Sequence, residues 1–553
     1  MNPASAWIIL CGALLNITNR DWLFFLSKPA WCGVAAPPAS AFLLFCEMPV
    51  VTCYRYLGLL FAGTLVLATL AFSVSLLDDD WGHVLLASKG IGFIFSTGWE
   101  GLAGQGGYYR PIVVLSLYAN YLMAGFSPGI YHVTNLLVHA GCCLLVFLLG
   151  RRLELSDEVS WGGALMFFVL PLHTDTLFWI VGRTDSVCAL FYLGALVLFF
   201  DYVEKPCWPL WAGLVFCGSL ALLSKEMALS LPGVVLVMAI YRGVLFNKIT
   251  WRAIDGVVLV FLGYFLIRQQ VLGGTFVGTP EVHFSFWTWG RDVLVAIAKM
   301  GMTDLKWFGL VGLATTGLAW WVSGRRDLKK LLVISLAILV CLVPVLGHLQ
   351  NWYLYLPSAF FCLAMAQVWL SEKRRVFALF FVGLLLYYAV VLTREGLFWQ
   401  KASALSEAFV ADMMPYAQAT SGRLYVLNVP SAFTPDGSFG GKPLFAFALK
   451  NALAMRSDIP LTCQTIMVNH VWLTGEFNGR VTELEPGRYG LKIQQGGFFS
   501  FHDGQVYVPP LTMAREWGSL QVVAEDSMVV DLPLEAEDRV VVYTGEGMQV
   551  LFP

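Results

Sequence analysis

The sequence predicts an all-α polytopic membrane protein of about eleven transmembrane helices, followed by a small β-rich extracytoplasmic domain at the C-terminus. Three observations predict it. Of 553 residues, 58% are hydrophobic and 13% charged, whereas a soluble globular chain carries about a quarter charged residues. Apolar runs of membrane-crossing length recur along the first 400 residues, and Lys and Arg collect at every second turn between them.

A helix needs roughly 20 mostly apolar residues to cross a hydrocarbon core about 30 Å thick. Runs of that kind, some short, lie near 56–77, 131–150, 160–178, 186–201, 208–223, 228–241, 253–272, 305–323, 331–347, 352–370 and 376–393. One set of turns holds Arg55, Arg151 with Arg152, Lys205, Arg242 with Lys248 and Arg252, Arg325 with Arg326, Lys329 and Lys330, and Lys373 with Arg374 and Arg375. The opposite set is sparse, its conspicuous cations being Arg183 and Lys225, each beside an acid. Cations retained inside make the basic set cytoplasmic. The acidic run after the first span, the loop near 273–304 and everything beyond Arg394 are then extracytoplasmic.

Three divisions follow. Residues 1–55 form an N-terminal segment whose moderately apolar stretch Trp7–Leu15 is interrupted by Arg20 and Asp21. No basic residue precedes that stretch, which disfavours a cleaved signal peptide. Residues 56–395 form the membrane domain, with its first outer loop at 78–130. Residues 396–553 change character to short apolar stretches such as Leu424–Val429 and Arg539–Tyr543, punctuated by Gly and Pro, which reads as β structure.

Composition also excludes partners. The net charge is −2 and no basic stripe exists to neutralise a phosphate backbone, so nucleic acid is not a partner. Of twelve cysteines, Cys142, Cys143, Cys188, Cys217, Cys341 and Cys362 fall inside apolar runs and read as small hydrophobes. Cys463 stands alone in the C-terminal part and can form no bridge within it.

Ionisable residues at membrane depth or at its edge are expensive and mark functional sites. The first candidate is Asp78, Asp79 and Asp80, directly after the first span. Three adjacent carboxylates repel, so one holds a raised pKa or takes a cation, and either state suits a general base or a metal ligand. The bland alternative is a solvated helix end. Second is Gly107–Pro111, GYYRP, where Tyr109 and Arg110 precede an aromatic helix-like stretch that shapes a groove for a lipid or merely anchors at the interface. Third is PLHTDTLFWIVGRTD, with His173, Asp175, Arg183 and Asp185 at an outer turn; a self-satisfied polar knot is the competing reading. Fourth is Lys225 with Glu226, which either neutralise each other or act on substrate. Fifth is NWYLYLPS, where Tyr353 and Tyr355 line a cavity or form an aromatic belt. All five fall on the same side of the membrane.

The order LLDDDW, YYRP, YHVTNLLVHA, PLHTD…GRTD, LLSKE and YLYLPS, over roughly residues 56–400, resembles the multispan GT-C glycosyltransferases. It looks most like the membrane half of the transmembrane and tetratricopeptide-repeat O-mannosyltransferases and their bacterial relatives. The resemblance implies a GT-C-like fold and transfer of a sugar from a polyprenyl-phosphate carrier with inversion. The base role then falls on the Asp78–Asp80 cluster, most of all on Asp79 or Asp78. Tyr109, Arg110, His173, Asp175, Arg183, Asp185, Lys225, Glu226, Tyr353 and Tyr355 are implied to bind the donor phosphate or substrate. Two departures stand out. No tetratricopeptide repeats follow, which makes protein O-mannosylation doubtful while leaving sugar transfer intact, and Gln350, Asn351 and Trp352 stand where the family often carries a charge before YLYLPS.

The expected partners are therefore a polyprenyl-phosphate sugar, membrane lipids, and a protein or glycan hydroxyl as acceptor. A bacterial inner membrane is favoured over the endoplasmic reticulum. No nucleotide-binding glycine loop appears, in keeping with a lipid-linked donor. No cofactor is required, although clustered carboxylates at Asp79 and Asp175 are compatible with a divalent cation. Two rival readings are a multispan transporter and a non-catalytic assembly protein for cell-envelope glycans. A transporter places its charges near the midplane in symmetry-related halves, whereas here they sit at span ends.

Overall fold

Helix α1 (Val50–Ala71) opens the computed structural model, which describes residues 50–99, 107–273, 285–301, 328–370 and, with short interruptions, 375–552. The expected N-terminal segment up to residue 49 and the run 305–323 lie outside the described residues. After α1 come α2 (Asp79–Ala87), α3 (Ile91–Ser96), α4 (Pro111–Ala124), α5 (Pro128–Arg152), α6 (Asp157–Val169), the one-turn α7 (Thr174–Phe178), α8 (Arg183–Glu204), α9 (Trp208–Leu222) and α10 (Leu231–Arg242). Then follow α11 (Lys248–Leu272), α12 (Phe286–Met300), α13 (Leu328–Leu342), α14 (Tyr355–Leu370) and α15 (Arg375–Ala419). Among the described residues seven helical segments are long and apolar enough to cross a membrane, and α4 and α9 are shorter apolar helices.

Two of the expected spans are shaped differently. The run 160–178 is broken after Val169, because Pro171 removes an N–H and disfavours helix before it; the chain makes a 3₁₀ turn over Pro171–His173 and restarts as α7. The last run extends well past 393. Helix α15 has 45 residues, about 68 Å at 1.5 Å per residue, so it is more than twice as long as a hydrocarbon core is thick. Its C-terminal half buries Ala402, Ser406, Phe409, Val410 and Met413, and Phe409 meets Phe445 and Tyr543 at ring distances of 5.1 and 5.4 Å. Strand structure begins only at Arg423.

The C-terminal part is β-rich, as expected. Strands β1 (Arg423–Leu427), β4 (Gln464–Met467), β13 (Arg539–Tyr543) and β14 (Met548–Phe552) make one sheet in the order β14-β13-β1-β4. The stretch Leu424–Leu427 is buried throughout because β1 lies centrally and parallel to both neighbours. Strands β2 (Val429–Phe433), β3 (Lys442–Pro443), β5 (His470–Leu473), β8 (Gly497–Ser500) and β9 (Gln505–Val506) form a second sheet. An antiparallel meander of β6 (Gly479–Glu485), β7 (Arg488–Ile493), β10 (Leu511–Arg515), β11 (Gly518–Ala524) and β12 (Ser527–Asp531) forms the third, and helix α16 (Leu449–Arg456) lies between β3 and β4.

The bundle has two chemically distinct poles. At one, the basic turns engage each other's elements: Arg242 pairs with Glu154 and Glu204, Arg152 with Asp201, and Lys330 donates to the Glu154 carbonyl at 2.8 Å. At the other lie the acidic turns and the start of the β-rich part, joined where the Asp78 N–H donates to the Leu444 carbonyl at 3.0 Å. The six cysteines of the apolar runs are free thiols, as is Cys463.

Candidate active site

The three adjacent aspartates have different surroundings. Asp78 precedes α2 with φ 40° and ψ −113°, a backbone conformation that costs a non-glycine residue about 1–3 kcal/mol. Its side chain is 3% exposed. The Asp80 carboxylate is fully buried and spent on the backbone: Oδ2 accepts the Leu77 N–H at 3.0 Å and Oδ1 the Val181 N–H at 2.8 Å. Burial pushes its pKa up to about 7, although those N–H groups pull the other way. Asp80 thus ties the first acidic turn to the VGRTD turn. Asp79 is half-buried, and among the described residues its carboxylate accepts no hydrogen bond and enters no ion pair. Burial raises its pKa above the ordinary carboxylate range, and the nearby His83 and Arg110 charges partly oppose this. His83 is held by Nδ1 donating to the Asp79 carbonyl at 2.7 Å and by packing on Trp99 at 3.9 Å.

The cations at this pole are paired differently from their sequence neighbours. Lys225 is extended (φ −163°, ψ 147°), so it and Glu226 point apart. Lys225 Nζ donates to Asp185 Oδ2 at 2.6 Å and lies 4.5 Å from the Tyr353 ring centre. Burial lowers the Lys225 pKa, and Asp185 restores part of it. Glu226 instead accepts from Arg110 Nε at 3.1 Å and Nη2 at 2.8 Å, and from Arg268 Nη1 at 3.3 Å. Burial pushes the Glu226 carboxyl up, and Arg110 more than reverses this, leaving its pKa lowered. Arg268 escapes a reading by sequence because it sits inside the apolar helix α11, and only its orientation toward Glu226 and the Gly107 carbonyl reveals its role. Neutralisation between Lys225 and Glu226, one of the sequence expectations, is thus replaced by three longer-range pairs, Lys225 with Asp185 and Glu226 with both Arg110 and Arg268.

Several other candidates, in the PLHTD…GRTD turn and outside it, have partners within the protein. Arg183 is fully buried and donates to Asn120 Oδ1 at 2.6 Å and to the Tyr131 carbonyl at 2.8 Å. His173 Nε2 is 2.8 Å from Ser358 Oγ. Gly182 has a packing reason to be glycine: a Cβ there would come within 2.0 Å of the Asp175 carbonyl oxygen. Tyr109 donates to the Phe95 carbonyl at 3.1 Å, and Tyr355 is core, 2.7 Å from His139 Nδ1. Asp175 is the exception. It is half-buried and, among the described residues, accepts no hydrogen bond; burial pushes its pKa up to about 6, with Lys442 opposing.

The β-rich part and α12 bring residues that the sequence did not single out. Lys442 of β3 pairs with Glu395 of α15 at 2.7 Å, both effectively unexposed. Gly396, the next residue, packs on Phe178, so this pair stands beside the helix that carries Asp175. Lys299 of α12 donates to Asn351 Oδ1 at 2.7 Å, bringing a cation to the place before YLYLPS where the sequence has none. Among the described residues no three His, Cys, Asp or Glu side chains converge as a cation cage. Arg110 is among the charges acting on Asp79, and Lys442 among those acting on Asp175.

No family model matches the chain. Among curated proteins it is 35% identical over 151 residues to protein O-mannosyl-transferase TMTC4 of Homo sapiens, covering 23% of this chain and 20% of that protein. It is 30% identical over 191 residues to protein O-mannosyl-transferase tmtc2 of Xenopus laevis, covering 33% and 21%. The chain is similar to the protein O-mannosyl-transferases. It spans about a fifth of the length of the relatives it matches. Among solved structures, ArnT from Cupriavidus metallidurans in the apo state is 11% identical with a TM-score of 0.48, covering 74% of this chain and 86% of that one. The Archaeoglobus fulgidus oligosaccharyltransferase complex with Zn and sulfate is 13% identical with a TM-score of 0.38, covering 63% and 55%.

Proposed function

We propose that the chain is a membrane glycosyltransferase that moves a sugar from a polyprenyl-phosphate donor to an acceptor hydroxyl, with inversion at the anomeric carbon. The relatives named as O-mannosyl-transferases support sugar transfer as the reaction class. The observation that carries the residue assignment is the contrast within the aspartate triplet. Asp80 is committed to two backbone N–H groups, whereas Asp79 is half-buried, beside His83 and Arg110, and its carboxylate accepts no hydrogen bond among the described residues.

In this reading Asp79 accepts the proton of the acceptor hydroxyl as its oxygen attacks the anomeric carbon. The leaving oxygen develops negative charge on the lipid phosphate, which Arg110 and Lys225 stabilise. Both are ion-paired yet keep unused donors: Arg110 gives Glu226 only Nε and Nη2, and the Lys225 ammonium gives one of its three N–H groups to Asp185. Glu226 and Asp185 hold these cations in place before the donor arrives, lowering the cost of organising them. Asp175, with Lys442 and Glu395 nearby, orients the acceptor. The site pole faces the extracytoplasmic side, with the β-rich part, and no step needs a metal.

Purified protein in nanodiscs should be given a panel of polyprenyl-phosphate monosaccharides and a hydroxyl acceptor. Release of free polyprenyl phosphate with formation of the inverted glycoside is expected. A folded protein that consumes none of the donors, or yields the retained anomer, contradicts the proposal.

A further inference from the structure

Helix α12 is unlike the other helices at the site pole. Its fifteen residues reach about 22 Å, too short for a tilted crossing, and include Arg291, Asp292 and Lys299. One stripe, Asp292, Ala296 and Met300, is buried. The opposite stripe is open: Trp287 is 90% exposed, Leu294 69% and the Arg291 side chain 69%, with Phe286 beside them at 83%. Trp287, Arg291 and Leu294 fall at i, i+4 and i+7, on one helix face.

What covers this face follows from its position and chemistry. The preceding helix α11 is long and apolar enough to cross a membrane, and its Leu259, Leu262 and Leu266 are exposed, the pattern of a lipid-facing surface. Helix α12 ends at the site pole, where Lys299 holds Asn351, and α13 begins at the basic pole, where Lys329 donates to the Tyr241 carbonyl. Helix α12 therefore lies where membrane-crossing segments end. Tryptophan, leucine and an arginine on one face, with the opposite face packed on protein, are the composition of a helix lying in the headgroup plane.

We infer that α12 is an interfacial helix that docks through Phe286, Trp287, Arg291 and Leu294 onto the bilayer surface at the site pole, and that this docking orders the connection 347–353. The link is direct. Asp292 Oδ2 accepts the Gly347 N–H at 2.8 Å and Lys299 donates to Asn351, so that connection is tied to α12 at its first residue and again at Asn351. The connection ends at Tyr353, whose ring covers Lys225. The buried stripe of α12 thus carries the membrane's position to a cation of the site. The docking does not depend on the glycosyltransferase reading.

The test uses the full chain in liposomes of phosphatidylcholine and phosphatidylglycerol, with a fluorescent amino acid incorporated at position 287 or, as a second variant, at 294. Lipids bearing a nitroxide near the glycerol should quench it about threefold more strongly than lipids with the nitroxide at the chain end, with little quenching by aqueous iodide. The same label at exposed Glu483 should respond to iodide alone. Hydrogen exchange over 347–353 should rise several-fold in the Trp287→Ser, Leu294→Ser double variant and stay unchanged over β11 and β12. Iodide quenching at 287 and 294 equal to that at 483 overturns the docking. Unchanged exchange over 347–353 with docking lost overturns the coupling. Neither readout uses sugar transfer, so failure of the catalytic assignment would leave both results standing.

Discussion

The turn at Asp78–Asp80 and the turn at Pro171–Asp185 come from distant parts of the chain and share one economy of design. Each commits one carboxylate to structure: Asp80 caps backbone N–H groups, and Asp185 holds Lys225. Each leaves another, Asp79 or Asp175, half-buried with no hydrogen bond among the described residues. The turns are bolted together by the Asp80–Val181 bond. They differ in the charge beside the remaining carboxylate: Asp79 looks toward His83 and Arg110, within the membrane part, whereas Asp175 looks toward Lys442, supplied by the β-rich part. A buried acid in such a site is therefore not informative by itself. What distinguishes the chemical candidates is a carboxylate whose lone pairs the protein has left unused.

The sharpest way to break the comparison is to exchange the two roles. Asp79→Asn should cut transfer by about 10²–10⁴-fold, the usual contribution of a positioned base, with little change in thermal stability. Asp175→Asn should act chiefly on acceptor KM, since its place is beside the β-rich part. Equal effects of both on kcat would erase the distinction drawn between them.

A large structural effect is expected on the committed side. Lys225→Met leaves the Asp185 charge buried without its partner and should cost about 3–5 kcal/mol, whereas Lys225→Met with Asp185→Leu should recover much of that. Denaturation in detergent followed by tryptophan fluorescence reads both. Gly182→Ala forces a methyl group onto the Asp175 carbonyl and should lower the melting temperature while also displacing Asp175, raising acceptor KM.

The smallest effect is a displacement in pH. A base works when deprotonated, so kcat/KM should fall as pH drops through the pKa of Asp79. Burial raises that pKa, so the acid limb should lie above the ordinary value of about 4. Arg110 is one of two groups holding the pKa down, so Arg110→Met should move the limb to higher pH. A limb that stays in place separates Arg110 from Asp79.

Much of the bundle could be read from the sequence because apolar length and loop charge act locally. The runs at 131–150, 186–201 and 253–272 became α5, α8 and α11 with ends moved by only a few residues. The break at Pro171 was obscured because apolar residues continue on both sides of it. The reach of α15 to Ala419 was obscured because the helix changes from a lipid-facing to a protein-facing surface, and the hydropathy pattern stops looking like a span. In the site, proximity in sequence identified which residues gather at one pole but not how they pair. Lys225 and Glu226 are adjacent yet face apart on an extended backbone, Arg268 is masked by the apolar helix around it, and Glu395 finds Lys442 only through packing of the β-rich part on α15.

The central claim rests on two neighbouring carboxylates with opposite duties, and one paired measurement decides it. Asp79→Asn and Asp80→Asn are purified in parallel, and each is assayed for transfer from a polyprenyl-phosphate sugar and for melting temperature. Asp79→Asn should lose transfer and melt with the parent protein. Asp80→Asn should melt lower, because its amide nitrogen cannot accept an N–H, with a loss of about 1–3 kcal/mol, and should keep transfer at temperatures where it is folded. Full transfer by Asp79→Asn, or abolished transfer by a well-folded Asp80→Asn, contradicts the account.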